Sequence, residues 1–270
     1  MCRMVGYVGE GEVSLSSVVL DPEHSLVAQA HAPREMLSGT VNVDGFGVGW
    51  YVPEGTEHDG EPAVYRSSSS IWSDRSFAGI APKLRSRSVF AAVRDATPGL
   101  PVEETGVPPF SAGPYLFMHN GAIEGFRQTA MRPLRRALSE ESYGGLLGVA
   151  DSETIFAGLQ DRLRALQSPG TGELADAIED TVRHVCEVCA GLGVNATLNL
   201  GLTDGEAMVF TRYSLVGAGG SLYYLEDGGA FPGATVVASE RLDGDPGWRA
   251  VPDGHLLTAD RASGVELRPL

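Results

Sequence analysis

The 270 residues are 43% hydrophobic and 20% charged, ordinary for a globular chain and ample for a sizeable core in one large domain or two small ones. A net charge of −15, with a sequence pI of about 4.7, argues against nucleic acid or an anionic membrane as partner, because such surfaces need clustered Lys and Arg. No run approaches the ~18 consecutive apolar residues of a membrane span. The first residues also lack a basic stretch followed by an apolar run, so no secretory signal is expected and the cytoplasm is the expected location. The three cysteines, an odd number, fit reduced thiols better than a disulfide framework.

Taken in chain order, Arg3 to Val8 reads as a buried strand and Ser17 to Ala30 as a further β-rich stretch. In NVDGFGVGWYV, the alternation of Phe46, Val48 and Trp50 with glycines predicts a strand closely packed on its Gly face. Pro53 to Pro62 is a turn or surface loop, Ser88 to Arg94 a short buried strand before a Pro-rich loop, and Tyr115 to Gly121 a strand ending in a turn. Helices are expected over Phe126 to Leu138 and from an Asp151–Ser152 cap through Leu166. Another is marked by the stripe Leu174, Ile178, Val182, Val185 and Cys189. A hairpin about Asp204–Gly205 follows, then SLYYLE, ATVVAS and a C-terminal strand pair. Strands, then helices, then strands, with no repeat and no composition shift, read as an α+β fold in one domain over 1–270.

Cys2 would become the first residue once Met1 is trimmed, and trimming is expected because Cys is small. Its thiol (pKa ~8.5) would then share a residue with a free α-amine (~7.7–8.0) able to take its proton. Arg94 closes an apolar strand and can clamp a carboxylate, or can simply cap that strand. His119-Asn120-Gly121 offers a side-chain amide and a backbone N–H to an oxyanion, or is a plain Asn-Gly turn. Asp151 can pair with an ammonium or cap a helix.

The order Cys2, Arg94-x-x-Thr97-x-Gly99, His119-Asn120-Gly121, Asp151-Ser152-Glu153 resembles the glutaminase domain of class II glutamine amidotransferases, a branch of the N-terminal-nucleophile hydrolases. That resemblance implies a four-layer αββα sandwich of two antiparallel sheets flanked by helices. It also implies Cys2 as nucleophile, Asn120 and Gly121 as the oxyanion site, and Arg94, Thr97, His119 and Asp151 around a small γ-glutamyl substrate. NVDGFGVGWY, YRSSSSIWSDRSF, HNGAIEGF and VVASERLDGDPGW are similar to the γ-glutamyl hydrolases of actinobacterial ergothioneine biosynthesis, which implies release of glutamate from γ-glutamyl-hercynylcysteine S-oxide. Met4 departs from that pattern, where many members carry His.

No cofactor or metal is expected. The six histidines lack ligand spacing, Cys186 and Cys189 fall inside a helical stripe, and no helix is expected to open after Gly49 as a dinucleotide loop requires. Trp50, Trp72 and Tyr223 suit either an imidazolium-facing surface or ordinary packing. A glutaminase subunit that feeds ammonia to a separate synthase, and a non-catalytic binder of γ-glutamyl compounds, are the competing functions.

Overall fold

The structure, a computed structural model, describes residues 2–35, 41–52, 55, 58, 60–96 and 101–270. Among these, the first strands are β1 (Arg3–Ser14), β2 (Phe46–Tyr51), β3 (Pro62–Ser67) and β4 (Arg85–Val93). They join β9 (Tyr223–Gly228), β10 (Phe231–Ala238) and β11 (Arg249–Ala250) in a seven-stranded sheet ordered β11-β9-β10-β1-β4-β2-β3. The second sheet has six strands. They are β5 (Phe110–Ala112), β6 (Tyr115–Ile123), β7 (Ala196–Thr203), β8 (Ala207–Arg212), β12 (His255–Asp260) and β13 (Gly264–Pro269), in the order β13-β12-β8-β7-β6-β5. Both are antiparallel wherever their strands pair.

Three apolar layers hold four structural layers together, as the αββα expectation requires. Met4, Val8, Phe90, Met118 and Phe210 fill the space between the sheets. On the outer face of the first sheet, Val5, Tyr7 and Val89 pack against Leu15 and Val18 of α1 (Leu15–Val19), Leu26 of α2 (Leu26–His31) and Phe77 of α3 (Arg75–Ile80). On the outer face of the second, Leu198 and Leu200 meet Leu134 of α4 (Met131–Arg136), Ile155 of α6 (Asp151–Arg164) and Ile178 of α7 (Thr171–Leu192), while α5 (Glu140–Gly144) packs on α6. A strand buried on both faces needs uncharged, mostly apolar residues at every position, which is why residues 4–8 of β1 and 89–93 of β4 read as MVGYV and VFAAV.

Most expected strands and the α7 stripe stand as read, and the glycine face of β2 is closely covered. A Cβ on Gly47 would overlap the Pro108 carbonyl, and one on Gly49 would lie 2.7 Å from Leu116. Three expectations change. Ser17 to Ala30 forms no strand but the end of α1 and most of α2, because Ser14 caps α1 by accepting from Ser17 N and Ser25 caps α2 by accepting from Ala28 N. The Phe126–Leu138 helix shrinks to α4, since Pro133 lacks the N–H that would carry a helix through from Phe126. His119-Asn120-Gly121 is no turn, because β6 runs on to Ile123 in register with β7.

Candidate active site

Cys2 leads directly into β1, the middle strand of the seven-stranded sheet. The pairing Arg3↔Val93 sets it beside Arg94, the residue after β4. Arg94 is held from the residues just before β2, by its N–H to Gly45 O (2.8 Å) and by Asp44 N–H to its own carbonyl (3.1 Å). Arg94 is 5% exposed, and its guanidinium donates from Nη2 to Pro101 O (3.2 Å), while Nη1 has no partner among the described residues. Gly106 makes this placement possible, as a Cβ there would stand 2.9 Å from Nη2. A buried guanidinium with one idle edge is suited to a carboxylate. Thr97 lies outside the described residues.

The Cys2 thiol is half-buried, and burial pushes its pKa up; an Asp95 backbone hydrogen bond and the Arg94 cation oppose the rise without cancelling it. A thiol so placed is protonated at neutral pH and needs a base before it can attack.

The second sheet brings Asn120 to the same end. Alternation along β1 turns Arg3 and Val5 to the helix face and Cys2 and Met4 to the inter-sheet face. There, Asn120 Nδ2 donates to Ser239 Oγ (3.2 Å), and Met4 N donates to the same oxygen (3.0 Å). One hydroxyl therefore ties the nucleophile strand to the side-chain amide, and the second Nδ2 hydrogen of Asn120 is left over. Directly opposite Asn120 in the ladder, Asn199 donates to Gly220 O (2.9 Å), and Ser221 Oγ donates to Ser239 O (2.7 Å). Together these bonds form a brace behind Asn120.

His119 and Gly121 point the other way, toward α6. His119 Nε2 lies 2.9 Å from Thr197 O and Nδ1 lies 3.0 Å from Ser152 Oγ. A carbonyl can only accept, so Nε2 carries a proton toward Thr197, and Nδ1 shares a hydrogen bond with the Ser152 hydroxyl. Gly121 permits this crossing, because a Cβ there would overlap the Thr197 carbonyl oxygen and lie 2.6 Å from His119 Nε2. Asp151, 7% exposed, opens α6 rather than capping it. It accepts from Ile123 N (2.9 Å) and Ser152 N (2.8 Å), which fixes its carboxylate at a helix N-terminus where an anion is favoured. The loop that covers Arg94 also meets the segment before α6: a Cβ on Gly148 would lie 3.5 Å from Thr105 Oγ1, beside Gly106.

Sequence reasoning missed the support beneath the site. Arg3 is fully buried, and its Nη1 pairs with Glu240 Oε1 at 3.2 Å. Glu240 also meets His24 Nε2 (2.6 Å) and accepts the N–H groups of Arg34 (2.8 Å) and Glu35 (3.1 Å). Burial alone would raise the Glu240 carboxyl, but these donors more than offset it and hold its pKa below the ordinary value. The available signal was a charge at each edge of an apolar strand run, in CRMVGYV and in VVASER. Of the aromatic candidates, Trp50 packs half-buried on the outer core, Trp72 stacks on His31 (3.7 Å between centroids), and Tyr223 meets Arg241 and Glu35.

A two-sheet sandwich whose nucleophile candidate starts the central strand, with Asn120 reaching across from the facing sheet, defines an amide hydrolase of the N-terminal-nucleophile type. The family model for class II glutamine amidotransferases matches residues 15–225, and the chain belongs to that family. It is 36% identical over all 270 of its residues to the γ-glutamyl-hercynylcysteine sulfoxide hydrolase of Mycolicibacterium smegmatis, covering 100% of that protein. It is equally 36% identical to the Mycobacterium tuberculosis protein of that description, covering 97% of it. At 29% identity it covers 84% of the Saccharomyces cerevisiae protein described as "Probable glutamine amidotransferase DUG3". Among solved structures, a glutamine aminotransferase class-II domain protein from Silicibacter pomeroyi superposes with TM-score 0.69 at 25% identity, over 100% of this chain and 99% of that one. The glutamine phosphoribosylpyrophosphate amidotransferase of B. subtilis shares the fold at TM-score 0.62 and 16% identity, over 99% of this chain and 49% of that one.

Proposed function

We propose that the chain hydrolyses the γ-glutamyl amide of γ-glutamyl-hercynylcysteine S-oxide through a thioester on Cys2, releasing hercynylcysteine S-oxide and then glutamate, in ergothioneine biosynthesis. The observation that carries this reading is 36% identity, spread over the full length, to hydrolases of that description. We read the chain as one domain acting in the cytoplasm.

Arg94 Nη1 takes the α-carboxylate of the glutamyl group and Asp151 takes its α-ammonium, with Thr97 beside the carboxylate. Once Met1 is removed, the Cys2 α-amine accepts the thiol proton that burial would otherwise retain. Sulfur bonds to the γ-carbonyl carbon, and the oxyanion meets the idle Asn120 Nδ2 hydrogen and the Gly121 N–H. The C–N bond breaks as the amine leaves with the proton. Water then adds to the thioester, the C–S bond breaks, and glutamate departs. His119 serves by holding Ser152 and hence Asp151. Purified protein given the sulfoxide should release glutamate, and Cys2→Ala should abolish release with the thermal midpoint unchanged. Glutamate release from the alanine variant, or Met1 still attached in an active preparation by intact mass, ends the thioester reading. Turnover of free glutamine alone would favour ammonia supply to a separate synthase.

A further inference from the structure

On each side of Cys2 lies a strand that an arginine follows. On one side, Arg94 follows β4; on the other, β10 pairs with β1 through Val5↔Ala238, and the pairing continues as Ser239 N–H to Met4 O (2.9 Å) and the Arg3–Glu240 ion pair. Arg241 follows at once, at the end of the sheet where Cys2 lies. Unlike Arg94 it is exposed; it forms no ion pair with any described residue, and its guanidinium stacks 4.9 Å over the Tyr223 ring. The Tyr223 hydroxyl lies 2.7 and 2.9 Å from the carboxylate oxygens of Glu35. Glu35 is itself fixed from beneath. Its N–H goes to Glu240 Oε1 (3.1 Å) and its carbonyl lies 3.5 Å from Nη1 of Arg3, the neighbour of Cys2. A cation and an anion thus share one aromatic ring on the β10 side of the strand end that bears Cys2, with Tyr223 packed on the helix face of the sheet.

We infer that Arg241, Tyr223 and Glu35 form the subsite for the departing amine, and that this amine carries both a carboxylate and a fixed cation. The inference rests on Cys2 receiving a γ-glutamyl group held by Arg94 and Asp151. With the headgroup fixed on the β4 side, the scissile nitrogen and its substituents extend toward β10. Arg241 then meets a carboxylate on the amine, and the Glu35 carboxylate meets a quaternary ammonium through charge alone. Hercynylcysteine S-oxide has both charges, glycine as a leaving group has only the carboxylate, and ammonia has neither.

The test compares kcat/KM of the native chain, Arg241→Gln and Glu35→Gln on glutamine, γ-glutamylglycine and γ-glutamyl-hercynylcysteine S-oxide. Arg241→Gln should lose about 10- to 100-fold on the two carboxylate-bearing amides, the effect of one charge-assisted hydrogen bond, with glutamine changed less than about twofold. Glu35→Gln should lose about two- to fivefold on the sulfoxide alone, the effect of one exposed charge pair. Equal losses on glutamine, or none on any substrate, overturn the subsite. Calorimetry with free hercynylcysteine S-oxide keeps the two readings separate. Binding weakened by both substitutions, in a protein that releases no glutamate, would uphold the subsite and end the hydrolase reading. Unchanged binding with unchanged kinetics overturns the subsite.

Discussion

Ser239→Ala removes the hydroxyl oxygen that accepts both Met4 N–H at 3.0 Å and Asn120 Nδ2 at 3.2 Å. Two effects follow, and they separate in measurement. The buried Met4 N–H loses its acceptor, which costs about 1–3 kcal/mol of stability and lowers the thermal midpoint. Asn120 loses the bond that aims its amide; a neutral hydrogen bond at that distance is worth about 1 kcal/mol, so at least about fivefold in rate. The ceiling is set by losing an oxyanion donor altogether, about 10²- to 10³-fold in kcat. The expectation is therefore a fall of about 10- to 100-fold in kcat for glutamate release, with KM changed less than about threefold because Arg94 and Asp151 are untouched. A double-mutant cycle reads the coupling: against an Asn120→Ala background, Ser239→Ala should cost less than about threefold. Equal cost in both backgrounds, or a loss confined to KM, would refute the idea that Ser239 acts through Asn120.

Gly121→Ala should cost more than about 3 kcal/mol in urea denaturation, since the new Cβ overlaps the Thr197 carbonyl, a backbone atom that cannot swing aside. Glu240→Gln leaves the fully buried Arg3 guanidinium without its counter-charge, and about 3–5 kcal/mol should be lost at pH 7. Because the folded Glu240 carboxyl sits below its unfolded value of about 4.3, its stabilisation is complete above that pH and vanishes as pH falls through the lower folded value. The gap between native and variant urea midpoints should therefore close on acidification, and a gap that persists below that window refutes the linkage. For the Cys2 thiol, raised by burial, iodoacetamide labelling should climb with pH through a midpoint above the ordinary value of about 8.5, and a midpoint below it contradicts the desolvation account.

Residues that end an apolar run were legible as site candidates. Arg94 closes β4, Asn120 interrupts β6 and Asp151 precedes the Ile155–Leu159–Leu163 stripe, so each stands out as a polar side chain where burial is expected. Ser239 and Asn199 were not legible, because a serine after a strand and an asparagine within one acquire meaning only from cross-strand register. The helical stretch near Ser17 was obscured by Val18 and Val19, whose branched side chains suit a strand equally well. What decided it was local capping by Ser14 and burial against the outer core. The Asn-Gly pair misled in the opposite sense, since pairing with β7 overrides a dipeptide that in isolation favours a turn.

The alternation of β1 explains why a buried charge lies next to the nucleophile candidate. Side chains repeat with period two, so slipping β1 by one residue would turn Cys2 to the helix face and drive Arg3 between the sheets, against Phe90 and Phe210. Apolar residues alone guard poorly against that slip, because Met4, Val5, Tyr7 and Val8 are hydrophobic on both faces. Arg3 guards well: only in the observed register does it meet Glu240, which is committed to His24 and to two backbone N–H groups. A buried ion pair is a weak source of net stability but a strong penalty against alternatives that separate its charges. The Arg3–Glu240 pair thus sets the register that turns Cys2 toward Asn120, and the same carboxylate holds the segment bearing Glu35 beside it.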